Sequence, residues 1–311
     1  MNLQFSFKRN DSGIHQLNPF VMPVWVAAIL VAAMTVQHPV WLLAVFLTTV
    51  PVACAAGVAR QWARLMKFVV WMFVAIVIIN LFASQQGSHV LVEAGFRIPL
   101  IGVPRITVEA LAFGGAMGLR LGAIISAFTL LNLCVHPDDL MRAAIKLRLP
   151  YRSVLVTSLS TRFIPVLMAD AKTISDVQES RGLAFGSGNV VQRIAKRGAL
   201  IFPLLSNSLD RAVQVAEAME SRAYGAPVKR TFYRDVPLMK EDVLAILALF
   251  AGIALLAVFR TFGFGAYDYY PSLGDPRMSI SSWLTLGLIC VALMSVVVAG
   301  SMRRRRDRDS I

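Results

Sequence analysis

The chain contains 311 residues, of which 57% are hydrophobic and only 16% are charged. This composition excludes an ordinary soluble domain, in which about a quarter of the residues are charged. The net charge of +13 could suggest a nucleic-acid partner. The apolar excess instead favours a membrane protein with its positive charge on one side of the bilayer. The three cysteines are widely spaced and form no disulfide framework, zinc pattern or redox pair.

Six windows are apolar and long enough to cross the hydrocarbon core, which needs a helix of about 20 residues. They cover residues 20–36, 40–58, 68–84, 110–135, 243–259 and 283–302. The first two are separated by a short link and predict a tight helical hairpin. The fourth is rich in glycine and contains Arg120, the only charge inside these windows. An intramembrane arginine is a candidate functional charge, but it could equally mark a helix break or bind a polar partner.

The distribution of lysine and arginine predicts the orientation in the membrane, because cytoplasmic connections carry an excess of these residues. The connections assigned to the cytoplasm carry a net charge of +12, whereas those on the other side sum to zero. We therefore expect a multi-pass protein of the cell membrane with six spans and both termini in the cytoplasm. The predicted order is a cytoplasmic segment at 1–19, four spans within 20–135, a cytoplasmic region at 136–242, two spans within 243–302 and a basic tail at 303–311.

The long cytoplasmic region is predicted to contain helices that do not cross the membrane. A proline and two aspartates at 137–139 favour the start of an amphipathic segment lying on the bilayer surface. Two longer helices are predicted over about 151–181 and 191–222, with interruptions at Pro165 and Pro203, because proline removes a backbone donor. We therefore predict an all-α fold, in which a polytopic membrane bundle carries a cytoplasmic pair of long helices.

The two long helices end in similar sequences, 41 residues apart, in which Glu-Ser-Arg is followed by a small residue. The residues concerned are Ser180, Arg181 and Gly182 in the first helix and Ser221, Arg222 and Ala223 in the second. Capping would explain one such end, since arginine complements the negative helix C-terminus and glycine commonly follows it. Two copies favour a pair of docking ends, in which each arginine contacts a carboxylate of a partner.

With these residues, the chain resembles the transmembrane T component of energy-coupling factor transporters, the family that includes CbiQ and BioN. In that family two Ala-Arg-Gly-like motifs end the cytoplasmic coupling helices, and each arginine docks into a groove of one of two ATPase subunits. Here serine replaces the alanine at 180 and 221, and Ala223 replaces the second glycine. The stretch 11–19 is similar to the family's Asp-Ser-Pro-x-His-x-Leu-Asp-Pro entry, with Gly13 and Asn18 as departures.

The resemblance implies a non-enzymatic energy-coupling subunit of an importer for a vitamin or a transition-metal ion. Its partners would be two ATP-binding cassette ATPase subunits, a substrate-binding membrane protein called the S component, and the lipid bilayer. It implies no cofactor or metal in this chain. The sequence agrees, since it lacks a Gly-x-x-x-x-Gly-Lys-Ser/Thr loop. Its four histidines lack metal-ligand spacing, and we interpret them as solvated residues near span ends.

The alternative is a self-contained secondary carrier or channel. Such a carrier should show inverted repeats and ionisable groups at the midplane in both halves of the chain. Only Arg120 meets the second condition, so this alternative is the weaker one. The sequence does not distinguish cobalt, nickel, biotin and thiamine as transported substrates, because in the favoured interpretation specificity resides in the partner.

Overall fold

The structure is a computed structural model that describes residues 12–83, 89–93, 105–136, 139–140, 150–182, 190–225, 238–262, 267–271, 273–274 and 279–309. The helices are α1 (Val21–Thr35), α2 (Pro39–Ala55), α3 (Ala59–Ala83), α4 (Val108–Cys134), α5 (Tyr151–Ser180), α6 (Val190–Ser221), α7 (Lys240–Thr261) and α8 (Ile280–Asp309). Two short strands, β1 (Val90–Glu93) and β2 (Arg105–Thr107), pair antiparallel between α3 and α4. The all-α fold class is confirmed. The small sheet was not predicted, because strands this short show no measurable periodicity.

The chain forms two compact units. The first comprises Met1–Leu140 and Val236–Ile311 and contains α1 to α4, α7 and α8. The second comprises Met141–Asp235 and contains α5 and α6. The sequence placed its cytoplasmic region at 136–242, and the location of that region relative to the membrane stays a prediction. The predicted surface segment after residue 137 lies largely outside the described residues.

The core of the first unit lies along α1, which packs against α2, α4, α7 and α8. Trp25 of α1 is completely buried, and its indole Nε1 donates to the carbonyl oxygen of Leu293 in α8 at 3.0 Å. Helix α4 also packs against α2 and α3. A Cβ atom at Gly114 of α4 would lie 3.1 Å from the Cα atom of Val77 in α3, so glycine permits close approach of the two backbones.

The helices that could span a membrane agree only in part with the six predicted windows. Helices α3, α4, α7 and α8 are long and apolar enough to cross, whereas α1 and α2 contain 15 and 17 residues and are shorter than a full span. The stretch Ser153–Ser180 of α5 meets the same length and hydropathy conditions, although the sequence placed it outside the membrane. The chain is a multi-pass membrane protein, and the number of six spans stays a prediction.

The helices extend beyond one predicted window and correct one predicted feature. Helix α3 begins at Ala59, nine residues before the predicted window at 68, because hydropathy does not mark the charged first turns of a helix. The predicted interruptions at Pro165 and Pro203 are absent, since α5 and α6 continue through both residues. Proline removes only its own backbone donor, and the neighbouring hydrogen bonds of the helix remain available.

The N-terminal segment is fixed to α7 and α8 at one end of the bundle. Asp242, completely buried in the first turn of α7, accepts a hydrogen bond from the backbone N–H of Asn18 at 3.1 Å. Its other oxygen lies 3.0 Å from Nη1 of Arg303 in α8. Gly13 packs directly on the backbone of Gly300, where a Cβ atom would find no room. Residues 18, 242 and 303 therefore share one end of the bundle, and the orientation of this end towards the cytoplasm stays a prediction.

Candidate docking site

The first predicted docking end has the geometry of a capped helix terminus. The hydroxyl of Ser180 donates to the carbonyl oxygen of Asp176 at 2.8 Å, and α5 ends there. Gly182 has a positive φ of 91°, and its N–H donates to the carbonyl oxygen of Glu179 at 3.0 Å. Glycine adopts this left-handed conformation without a steric penalty. Arg181, which lies between the two, is exposed.

The second end repeats this geometry with a different residue at the turn. The hydroxyl of Ser221 donates to the carbonyl oxygen of Ala218 at 3.1 Å, and the exposed Arg222 follows. The left-handed position is occupied by Ala223, with a φ of 52°. A Cβ atom makes this conformation unfavourable by roughly 1 kcal/mol. The chain then closes through a hydrogen bond of 2.9 Å from the N–H of Tyr224 to the carbonyl oxygen of Met219.

The two arginines are exposed and form no ion pair in the part of the chain that the structure describes. Each follows directly after the last residue of its helix and is exposed to solvent. No ion pair joins either guanidinium to another described residue. An arginine remains charged at any physiological pH and offers five donors in a planar fork. Capping accounts for the turn geometry, but it gives neither guanidinium a counter-charge among the described residues.

An ion pair joins the helices that carry these ends. Nη2 of Arg211 in α6 lies 3.0 Å from Oδ2 of Asp170 in α5, and both side chains are partly exposed. These residues are 41 positions apart, the same interval that separates Arg181 from Arg222. The pair was not predicted from the sequence. Opposite charges at the interval of the repeated ends are the signal that could have found it.

Helix α6 also carries an exposed apolar stripe. Its members recur every four residues and are each more than half exposed, and they are Ile201, Leu205, Leu209 and Val213. Residues four positions apart lie on one face of a helix. This stripe is a candidate contact surface for an apolar partner of the second unit.

Arg120, the candidate intramembrane charge, lies in the first unit and binds a backbone acceptor there. Its Nη2 donates to the carbonyl oxygen of Val36 at 2.8 Å, just beyond the end of α1. Arg260 of α7 donates to the carbonyl oxygen of Thr35 at 2.7 Å. Helix α1 has no basic residue in its own last turn, so these arginines complement its negative end. A polar partner was one of the alternatives left open by the sequence, and a role of Arg120 in transport stays a prediction.

The histidines differ from one another. His38 is buried rather than solvated, which corrects the sequence-based interpretation, and burial lowers its pKa below the usual 6.5. Its Nδ1 accepts a hydrogen bond from the N–H of Val40 at 3.3 Å, and its ring meets that of Tyr267 edge-on. His89 is largely exposed and contacts the buried carboxylate of Glu109 at 2.9 Å. Among the described residues, no group of three or more potential ligands could hold a metal ion.

Comparison with known proteins identifies the family. The family model of CbiQ, described as a cobalt transport protein, matches residues 10–233. The energy-coupling factor transporter transmembrane protein EcfT of Thermosediminibacter oceani is 31% identical over 257 residues, which cover 80% of this chain and 92% of that protein.

The proteins of the same name from Bacillus selenitireducens and Streptococcus thermophilus are each 30% identical. The matched segments cover 79% and 78% of this chain, respectively, and 92% of each relative. The similarity therefore extends over nearly the whole length of these relatives. The family match alone includes the first four helices of the bundle and most of the second unit. The chain belongs to the CbiQ family of transmembrane components of energy-coupling factor transporters.

Proposed function

We propose that Arg181 and Arg222 each dock one ATP-binding cassette ATPase subunit, and that α5 and α6 transmit the motion of the ATPases to a separate substrate-binding membrane protein. The chain would thus be the coupling subunit of an importer for a vitamin or a transition-metal ion. The names of the relatives support an energy-coupling role. Hydrolysis of ATP would take place in the partner subunits.

The observation that carries this proposal is the matched pair of exposed arginine ends. Each arginine lies eleven residues beyond the ion pair between Asp170 and Arg211, so about 17 Å of helix separates it from this link. Eleven residues correspond to about three helical turns, which places each arginine on the same side of its helix as the ion pair. Two helix segments of equal length, each followed by an exposed arginine, suit a pair of similar ATPase subunits.

The docking role is tested by charge reversal. We expect Arg181→Glu together with Arg222→Glu to leave the chain in the membrane but to reduce the amount of ATPase that co-purifies with it. Removing one member of a partly desolvated charge pair costs on the order of 2 to 5 kcal/mol of binding free energy. The matched control is Lys172→Glu, because Lys172 is an exposed cation on α5 away from its end.

Wild-type amounts of bound ATPase in the double reversal would reject docking through these arginines. Equal losses in the Lys172→Glu control would reject it as well, because the effect would then come from net charge. The single variants Arg181→Glu and Arg222→Glu test whether each arginine binds a separate ATPase subunit. If each arginine serves one ATPase, either single variant retains about half of the bound ATPase.

A second test concerns the transported solute. We propose that the chain alone does not bind it, since specificity would reside in the S component. Equilibrium binding of cobalt, nickel, biotin and thiamine to the purified chain should be undetectable at micromolar concentrations. Micromolar affinity for any of them would favour the self-contained carrier.

The proposed location is the cell membrane with both termini in the cytoplasm. Cysteine labelling at residue 200 and at the exposed residues 304–306 should succeed only from the cytoplasmic side. Labelling of either position from outside would contradict this topology.

A further inference from the structure

Helix α3 carries an exposed stripe on the side that faces away from the bundle. Its inner side holds Trp62, Met66 and Val69, and Nε1 of Trp62 donates to the hydroxyl of Ser126 in α4 at 2.8 Å. The outer side is exposed along its whole length, and its members are Arg60, Arg64, Lys67, Trp71, Ile78 and Phe82. Their spacing of three, four, seven or eleven residues places them on one face of the helix.

The chemistry of this stripe changes in order along the helix. Three cations occupy the first turns, beginning at Arg60. An aromatic pair follows, in which the rings of Phe68 and Trp71 are stacked with centroids 6.4 Å apart. Beyond Trp71 the exposed residues are apolar up to Phe82. A phospholipid in a bilayer presents the same order, with a charged phosphate, an interfacial glycerol region and an apolar chain.

The cations of the stripe have no counter-charge within the described structure. Helix α3 contains no acidic residue. The ion pairs of the described residues involve none of Arg60, Arg64 and Lys67. Cations near the N-terminus of a helix also interact unfavourably with the helix dipole. The described structure therefore gives these three residues no counter-charge, and an anionic ligand would supply one.

We propose that the outer face of α3 binds an anionic phospholipid of the surrounding membrane. Arg60, Arg64 and Lys67 bind the phosphate, Trp71 packs beside the glycerol region, and the apolar residues up to Phe82 line one acyl chain. The distance from Phe68 to Phe82 along the helix is about 21 Å, which exceeds the roughly 15 Å of hydrocarbon in one leaflet. This site does not depend on the proposed docking of ATPases, which concerns the other compact unit.

Brominated lipids test the proposal, because bromine quenches the fluorescence of a tryptophan that it contacts. Of the five tryptophans, only Trp71 and Trp283 are more than half exposed. The full chain with Trp283→Phe is reconstituted into two kinds of phosphatidylcholine vesicle. One contains a fraction of brominated phosphatidylglycerol, and the other contains the same fraction of brominated phosphatidylcholine. We expect phosphatidylglycerol to quench Trp71 about twofold more strongly, and high salt to reduce the difference.

The controls use the same two lipids. In a Trp71→Phe background, Trp283 at the start of α8 reports on a region without the cationic stripe, and we expect equal quenching by both lipids. Adding Arg60→Gln, Arg64→Gln and Lys67→Gln to the Trp71 reporter should abolish the preference for phosphatidylglycerol. The exposed residues Arg304 and Arg305 provide the matched charge control, and changing both to glutamine should leave the preference intact.

Three results would overturn the proposal. The first is equal quenching of Trp71 by both lipids. The second is a preference for phosphatidylglycerol that survives the triple substitution. The third is loss of all Trp71 quenching when the chain is reconstituted with its ATPase and S-component partners, because the face would then be a contact between proteins.

Discussion

Asp170 of α5 and Arg211 of α6 form an ion pair of 3.0 Å, and each lies eleven residues before the arginine that directly follows its helix. The pair joins the two helices, and no ion pair of the described structure links the two arginine ends beyond it. We expect it to set the register between the helices. A one-turn slip of either helix would break the contact and would change the distance between the two arginines by several ångströms.

A charge swap tests this register. Asp170→Arg places two arginines in contact, and it should broaden the distribution of distances between spin labels at residues 180 and 221. The loss of stability should be only about 1 kcal/mol, because the pair is partly exposed. Combining Asp170→Arg with Arg211→Asp should restore a narrow distribution in pulsed electron paramagnetic resonance. A double variant as broad as the single one would show that the pair does not set the register.

The left-handed turn residues give opposite predictions at the two helix ends. Ala223→Gly should stabilise the end of α6 by about 0.5 to 1 kcal/mol, because glycine lacks the Cβ atom that opposes a φ of 52°. Gly182→Ala should destabilise the end of α5 by a similar amount. Hydrogen exchange at the amides of residues 182 and 224 measures both effects, as slower exchange in the first variant and faster exchange in the second. Changes of the same sign in both would contradict the backbone explanation.

The sequence was sufficient for features that depend on local pattern. Apolar windows located the bundle helices, and the Glu-Ser-Arg repeats predicted where α5 and α6 end to within one residue. It was insufficient where contacts join distant segments. Asn18, Asp242 and Arg303 meet across more than 200 positions, and no local pattern marks them. His38 was misassigned for the same reason, because the ring that it contacts belongs to Tyr267, far along the chain.

The buried pair of Asp242 and Arg303 should contribute strongly to the stability of the bundle. Arg303→Gln leaves the buried carboxylate of Asp242 without its counter-charge, and we expect a loss of about 3 to 5 kcal/mol. The matched control is Arg306→Gln, since Arg306 is mostly exposed in its pair with Glu241, and its loss should stay below about 1 kcal/mol. Thermal unfolding in detergent compares the two. Equal effects would show that burial does not strengthen this pair.

His38 should make the bundle less stable in acid. Its pKa is lowered in the folded chain by burial, so the unfolded chain binds the proton more readily, and stability falls as the pH decreases below about 6.5. Protonation of Nδ1 would also remove the acceptor for the N–H of Val40. His38→Asn keeps an acceptor at this N-cap position but does not titrate. Its unfolding temperature should depend less on pH between 5 and 7 than that of the wild type, and an unchanged dependence would assign the effect to another group.

Arg120 should act on stability rather than on transport. Arg120→Gln removes the hydrogen bond to the carbonyl oxygen of Val36, and we expect a loss of about 1 to 3 kcal/mol. Uptake per folded molecule should stay near the wild-type value. Arg260→Gln, which removes the more exposed contact with Thr35, should cost less. A variant of Arg120 with wild-type stability and abolished uptake would instead assign this residue a direct part in transport.

The short helix α1 has a consequence for hydrophobic mismatch between the protein and its membrane. Its 15 residues span about 23 Å, less than the roughly 30 Å of bilayer hydrocarbon. A lipid-facing helix of this length would thin the surrounding bilayer. Helix α1 instead packs against α2, α4, α7 and α8. Arg260 donates to the carbonyl oxygen of its last residue, Thr35, and Arg120 donates to that of Val36, which follows it. Protein side chains therefore cover much of this short helix, whereas α3, with its exposed outer side, has 25 residues and is long enough to match the bilayer without deforming it.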